Sequence, residues 1–324
     1  MGGQEPVTHP AADFRFRLFA RQKKGTAGKR AFDTLPLYLM LAPAVLLVLV
    51  YAYVPMVGIV MGFQRVLPGK GIFGSPWVGL DNFEFVFAMP TIFQVIWNTI
   101  RIAGLKAVLG VLVPVTVALM LNNVTSRAFK RTVQTVIYLP HFLSWIILAG
   151  IFVDILSPSE GIVNRLLGMV GIQPIFFLGD HKVFPWTMIF TDVWKSFGFG
   201  TIIYLAALTD IDPTLYEAAV VDGATRRQQT WYITLPGISG TIIMLSTLSL
   251  GNILNAGFDQ IFNLYSPMVY STGDIIDTLV FRTGIMNNQY GIATAVGLLK
   301  SVVSLVLIGL AYKLADKWAD YRIF

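Results

Sequence analysis

The sequence predicts an all-α, polytopic membrane protein with six spanning helices. Three observations carry this: the composition, six long apolar runs, and the placement of basic residues. Of 324 residues, 55% are hydrophobic and 13% charged, with a mean hydropathy of +0.66. Soluble domains carry about 25% charged residues, so this chain is built for lipid. Six segments meet the requirement of roughly 20 apolar residues: 35–63, 97–121, 133–156, 184–208, 238–257 and 292–315. With the N-terminus inside, fifteen Lys and Arg fall in cytoplasmic parts and five in external loops. That excess fixes both termini and the 209–236 connection on the cytoplasmic side.

Residues 1–34 form a basic tail with Arg15, Arg17, Arg21, Lys23, Lys24, Lys29 and Arg30. Phe14, Phe16, Leu18 and Phe19 interleave with some of these, a pattern that suits an anionic lipid surface. Composition favours the plainer reading, a solvated tail that only fixes orientation. No small-residue cleavage site follows the first apolar run, so that run is a retained span. The organisation expected is the tail, then one six-span domain over 35–324. Pro43, Pro55, Pro114 and Pro140 inside the spans are tolerable, because neighbouring helices satisfy the freed carbonyls.

Several function classes drop out. The chain has no cysteine, which excludes disulfides, thiol catalysis and thiolate metal sites. His9, His141 and His181 are too scattered for a metal cluster. The net charge of +6 follows membrane topology, not nucleic-acid binding. A membrane enzyme would need a polar catalytic set in the spans, and neither HExxH nor GxSxG occurs there. No GxxxxGK[ST] loop is present, so the chain does not hold ATP in that way.

The 209–236 connection is one of the few polar intervals. Asp212-Pro213 reads as a helix start, with Asp as N-cap and Pro at the first helical position. Leu215, Ala218 and Ala219 fall on one narrow apolar face. Gly223 suits the left-handed residue that ends a helix. Thr225 to Gln228 matches a capping box, so a second helix begins at once and runs through Leu235-Pro236 into the next span. A bent helix pair with small residues on one face suits a groove on another protein. An ordinary loop with two short helices fits the same residues.

The spacing of Glu217-Ala218-Ala219, Gly223, Ile233 and Leu235-Pro236 resembles the signature loop of ABC importer permeases. Asp222 and Ala224 match the longer form found in sugar permeases. Trp77 to Phe83 resembles a stretch typical of sugar-importer permeases. Asp274-Ile275-Ile276-Asp277-Thr278 with Arg282, and Asn288 to Gly291, resemble the branch that imports large oligosaccharides of the complex-glycan, aldouronate and alginate type. The resemblance covers nearly the whole chain beyond about residue 35. It implies the type I importer fold and a bacterial inner-membrane location. It implies insertion of Glu217, Ala218, Ala219, Asp222, Gly223, Ala224, Ile233, Leu235 and Pro236 into a cleft on a cytoplasmic ATPase. It also implies no cofactor on this chain, with ATP and Mg held by the partner. The expected partners are two ATPase subunits, a second permease (a heterodimer), a solute-binding protein and membrane lipid. An ion-coupled carrier is the alternative, and it has no use for this loop.

Charges inside spans usually face the protein interior. Lys106, Lys195 and Lys300 lie nine, eleven and eight residues into their spans, roughly 12–16 Å below the outer boundary at ~1.5 Å per residue. Three cations at one depth are expected to line a shared cavity suited to an acidic sugar. The competing reading for each is snorkelling or a structural pair, with Asp192 three residues before Lys195. Asn252, Asn255 and Asp259 fall on one stripe if span five is helical throughout. Trp194 is the candidate aromatic face for a sugar ring, although aromatics in spans more often pack or anchor. The long connection from Phe258 to Tyr290 either meets a delivery protein or caps the bundle.

Overall fold

The computed structural model describes residues 27–251 and 254–319, with the side chains of residues 27–34, 250, 311–312 and 314–319 left aside. Most of the basic tail and Asn252 therefore lie outside the described residues. Among the described residues there is no strand beyond one isolated bridge, Gln64 to Trp77. The chain divides into two compact units, one up to Val57 and one from Gly58.

In the first unit, α1 (Ala27–Val48) gives way to a π-turn at Leu49–Tyr53. Pro55 explains the change. It has no N–H for the carbonyl of Tyr51, and a wider turn absorbs the lost bond.

The second unit begins its main structure with α2 (Asp81–Ala88) and α3 (Ile92–Asn122). Next come α4 (Arg127–Tyr138), α5 (Trp145–Ile155) and α6 (Phe184–Thr209). The connection holds α7 (Pro213–Val221) and α8 (Arg226–Gln229), which lead to α9 (Leu235–Leu250). The rest is α10 (Phe258–Leu264), α11 (Ile276–Phe281) and α12 (Tyr290–Ala319).

Among the described residues, four helices are long and apolar enough to cross a membrane: Leu35–Phe63, Ile92–Asn122, Arg226–Ser249 and Tyr290–Leu310. A fifth is a bent pair, Arg127–Phe142 with Trp145–Ile155, which meet at 106°. Pro140 lies at that bend, and Ser144 restarts the helix by accepting from Ile147 N at 3.3 Å. The remaining expected span, α6, is 26 residues long, about 39 Å. Asp192 and Lys195 near its middle keep it below the apolarity of the others. Length and composition alone therefore count five, not six.

Span five also ends earlier than the pattern of residues suggests. The helix stops at Leu250, residues 254–257 are not helical, and Gly257, left-handed at φ +90°, precedes α10. Asn255 and Asp259 consequently share no helical face, and Asn252 of the expected stripe lies outside the described residues.

Three apolar clusters hold the second unit. One joins α3, α5, α6 and α10 through Ile102, Leu148, Phe152, Met188 and Ile261. Another joins α3, α6 and α9 through Ala118, Tyr204, Leu208 and Ile238. The third joins α2, α3, α11 and α12 through Val86, Ile92, Leu279 and Val296. The Trp77–Phe83 stretch has a structural task. Trp77 stacks on Phe63 at 5.5 Å, and Asn82 Nδ2 donates to the carbonyls of Gly62 and Gln64 at 2.9 and 3.0 Å. Those carbonyls lie at a helix end, where no intrahelical donor remains for them.

Candidate functional site

The connection between α6 and α9 folds as its residues dictate. Asp212 Oδ1 accepts from Thr214 N at 2.9 Å, which caps α7. That backbone bond holds the Asp212 carboxyl below the usual carboxylate range. At the other end Gly223 takes φ +77°, and Ala224 N reaches back to the Ala219 carbonyl at 2.8 Å. A side chain at 223 would strain this left-handed turn. The capping box then starts α8: Thr225 N donates to Gln228 Oε1 at 2.8 Å, and Gln228 N donates to Thr225 Oγ1 at 3.4 Å.

The second helix continues into the membrane-spanning segment. Arg226–Ser249 is one helix of 24 residues, about 36 Å long. It widens to a π-turn at Thr230–Thr234, where Leu235 N donates to the Thr230 carbonyl. Pro236 again supplies the reason, since it lacks the N–H that the Tyr232 carbonyl needs. Tyr216 Oη and Thr234 Oγ1 lie 3.0 Å apart and tie the two arms together. A polar cleft of about 480 Å³ lies behind the loop, lined by Asn122, Asn123, Tyr216, Arg226, Gln229 and others.

Glu217, Ala218, Asp222, Gly223 and Pro236 are exposed, while Ala219, Ala224, Ile233 and Leu235 are half-buried. The outward face is more apolar than the expected set of Leu215, Ala218 and Ala219. Val220 and Val221 also stand free, the latter 87% exposed. Their place just before the terminating glycine is the signal that sequence reading passed over.

The three lysines do not share a cavity, and each finds a different partner. Lys106 Nζ donates to the Ala256 carbonyl at 2.7 Å and to Gln260 Oε1, and lies 3.6 Å from Asp192 Oδ1. Two of its three donors are thus taken by hydrogen bonds, and the Asp192 carboxylate balances its charge. Lys195 Nζ donates to the His141 carbonyl at 3.0 Å and sits 5.7 Å from the centre of the Trp145 ring. Lys300 pairs with Asp277 at 2.5 Å. The Asp192–Lys195 pair expected from their spacing is absent, because Asp192 turns to α3 instead. A buried ammonium takes the nearest strong acceptors, and burial makes any other arrangement costly.

Gln260 is the hub of this arrangement, and nothing in its local sequence marks it. It is fully buried, accepts from Lys106, and donates to the Met188 carbonyl at 2.8 Å and Thr191 Oγ1 at 2.7 Å. It joins α3, α6 and the start of α10 beside the broken end of span five. A cleft of about 340 Å³ opens there, lined by Lys106, Asp192, Ser249, Asn255 and Gly257 among others. Asn255 is exposed and accepts from Gly257 N at 3.3 Å, whereas Asp259 lies outside this lining and is exposed. Trp194 is partly exposed and meets Phe152 edge-on at 5.7 Å.

The Phe258 to Tyr290 connection is a packed cap. Asp274 is buried and paired with Arg282 at 2.5 Å, and it accepts from Thr278 Oγ1 at 2.7 Å. Asn98 of α3 donates to the carbonyls of Ser271 and Asp274. The Arg282 guanidinium lies 4.4 Å from the Tyr270 ring centre. Burial, then the Tyr270 hydroxyl beside it, pushes the Tyr265 phenol up to about 12. The Asp-Ile-Ile-Asp-Thr motif thus supplies carboxylates to two ion pairs, Asp274–Arg282 and Asp277–Lys300.

A helical bundle whose exposed, bent loop continues into a span fits a membrane transport subunit. The chain belongs to the family of binding-protein-dependent transport system inner membrane components, whose model matches residues 107–320. It is 39% identical over 307 residues to the polygalacturonan/rhamnogalacturonan transport system permease protein YteP of Bacillus subtilis (strain 168), over 95% of this chain and 96% of that one. It is 40% identical over 288 residues to Protein LplB of the same organism, with coverage of 89% and 91%. Among solved structures it matches a chain of a bacterial ABC transporter involved in the import of the acidic polysaccharide alginate. That match has a TM-score of 0.83 and 40% identity, covering 90% of this chain and 98% of the other. The alginate transporter in complex with its alginate pentasaccharide-bound periplasmic protein gives 0.82 and 39%.

Proposed function

We propose that this chain is the permease subunit of an ATP-driven importer that takes up an oligosaccharide delivered by a solute-binding protein. The observation that carries the reading is the loop itself. Glu217 to Gly223 stands exposed on a capped, bent helix pair, and its second arm is continuous with a span. A push on the loop therefore reaches the bundle without an intervening hinge. The names of the relatives, a polygalacturonan/rhamnogalacturonan permease and an alginate importer, support an oligosaccharide cargo and make an acidic one the leading choice.

The sequence offers no phosphate-binding loop, so ATP and Mg belong to a partner ATPase dimer. One bundle makes half a pathway, and a second, related permease completes it. Both termini and the loop lie in the cytoplasm, on the charge asymmetry of the sequence. Residues 1–34 act as a basic tail, and the remainder as one transport domain. ATP-driven closure of the ATPases brings the two loops together and turns the cavity outward. Delivered sugar enters, and hydrolysis resets the cycle. The pathway runs past the 340 Å³ cleft of Asp192, Ser249 and Asn255, with Lys106 as its brace. Lys195, Lys300, Trp194, Asn252 and Asp259 are proposed to meet the same pathway at other points, outside this cleft.

The test is co-purification with candidate ATPases, followed by uptake and hydrolysis in vesicles. Glu217→Ala is expected to leave hydrolysis running while uptake collapses. Uptake that persists with no ATPase present refutes the reading.

A further inference from the structure

Two of the three intramembrane lysines are neutralised within the chain. Asp192 lies 3.6 Å from Lys106, and Asp277 lies 2.5 Å from Lys300. Among the described residues Lys195 has no carboxylate within ion-pair distance. One of its three N–H donors goes to the His141 carbonyl, and two remain. The residue is half-buried near the middle of α6. A cation facing hydrocarbon at that depth is expensive, so its open side faces water or protein. One aromatic ring lies against it, and two more flank the His141 that it bonds. Trp145 lies under the ammonium, Phe142 is exposed next to His141, and Phe199 stacks on His141 at 4.3 Å.

A ring face beside a cation with free donors complements one kind of sugar. A uronic acid residue offers a C–H face to the ring and a carboxylate to the ammonium. We propose that Lys195 and Trp145 form a uronate-binding subsite, and that Lys195 sets the preference for acidic over neutral oligosaccharides. Lys106 and Lys300 do not set it, because their charge is already spent on Asp192 and Asp277. The inference rests on the importer reading above and narrows its cargo.

The experiment uses the assembled transporter in vesicles, with an oligouronate and its carboxyl-reduced counterpart as competing cargoes. The chain has no cysteine, so Lys195→Cys introduces a unique thiol in it. Lys195→Cys is expected to lower the acidic-to-neutral uptake ratio about tenfold or more, the range of a hydrogen bond to a charged group. Treatment with an aminoethylating thiol reagent rebuilds a lysine-like ammonium and is expected to restore the ratio, with the wild-type complex as the reagent control. A structural role does not predict rescue of the ratio. Lys195→Gln repeats the measurement should the cysteine variant fail to assemble. The subsite is overturned if wild type shows no preference, or if both cargoes fall by the same factor. It is also overturned if the thiol is inaccessible from water or if a carboxylate of the second permease takes the ammonium. Uptake of neither cargo by wild type overturns the importer reading instead, and the subsite with it.

Discussion

Lys106→Met isolates the buried knot at the end of span five. Methionine keeps the apolar stem and removes the ammonium. The residue is 8% exposed, and its three partners are the Ala256 carbonyl, Gln260 Oε1 and the more distant Asp192 carboxylate. Two of these are short bonds to a charged donor, each worth about 1.5–3 kcal/mol. The Asp192 contact is weaker, because its distance is 3.6 Å and Asp192 is 29% exposed. Part of the loss is returned, since methionine pays no desolvation of charge. The net destabilisation is about 3 kcal/mol, near the lower end for breaking a buried pair. Asp192→Asn, by contrast, costs about 1 kcal/mol, because Lys106 keeps two acceptors. The measurement is equilibrium unfolding of the purified permease in detergent, followed by tryptophan fluorescence. Hydrogen exchange at Ala256 and Gly257 is expected to accelerate in parallel. A Lys106→Met variant within about 0.5 kcal/mol of wild type, the scatter of a surface change, refutes the buried-clamp argument. So does an Asp192→Asn cost that exceeds it.

Two further outcomes follow from the same geometry. Gly223→Ala forces a Cβ into a φ of +77° with open space around it, so the cost is conformational, about 1 kcal/mol. Stimulation of the partner ATPase by cargo is expected to weaken before insertion of the spans does, and unchanged stimulation counts against the rigid loop. The Tyr265 phenol titrates higher in the folded cap than in the unfolded chain. Its contribution is therefore fully present below pH 10 and is lost as pH rises toward about 12. Tyr265→Phe is expected to remove that part of the alkaline loss, read as tryptophan fluorescence against pH, and an identical alkaline profile contradicts it.

The local features were legible because they are written in neighbouring residues. Asp212-Pro213, Gly223 and the Thr225–Gln228 pair specify caps and a turn within a few positions of chain, and the structure follows them. Apolar length likewise gives most of the spans, and motif spacing the family loop, without any knowledge of packing. The polar interior was not legible in this way. Lys106 and Gln260 are 154 residues apart, and nothing local says that α3 and the start of α10 meet. A three-residue spacing suggested Asp192 with Lys195, yet a buried ammonium from another helix competed more strongly for that carboxylate. The helical stripe through Asn255 failed for a related reason: the chain leaves its helix before Gly257, where Lys106 binds the freed Ala256 carbonyl. Short-range geometry fixes caps and lengths, while the choice among several acceptors for one buried charge is made only when the helices are side by side.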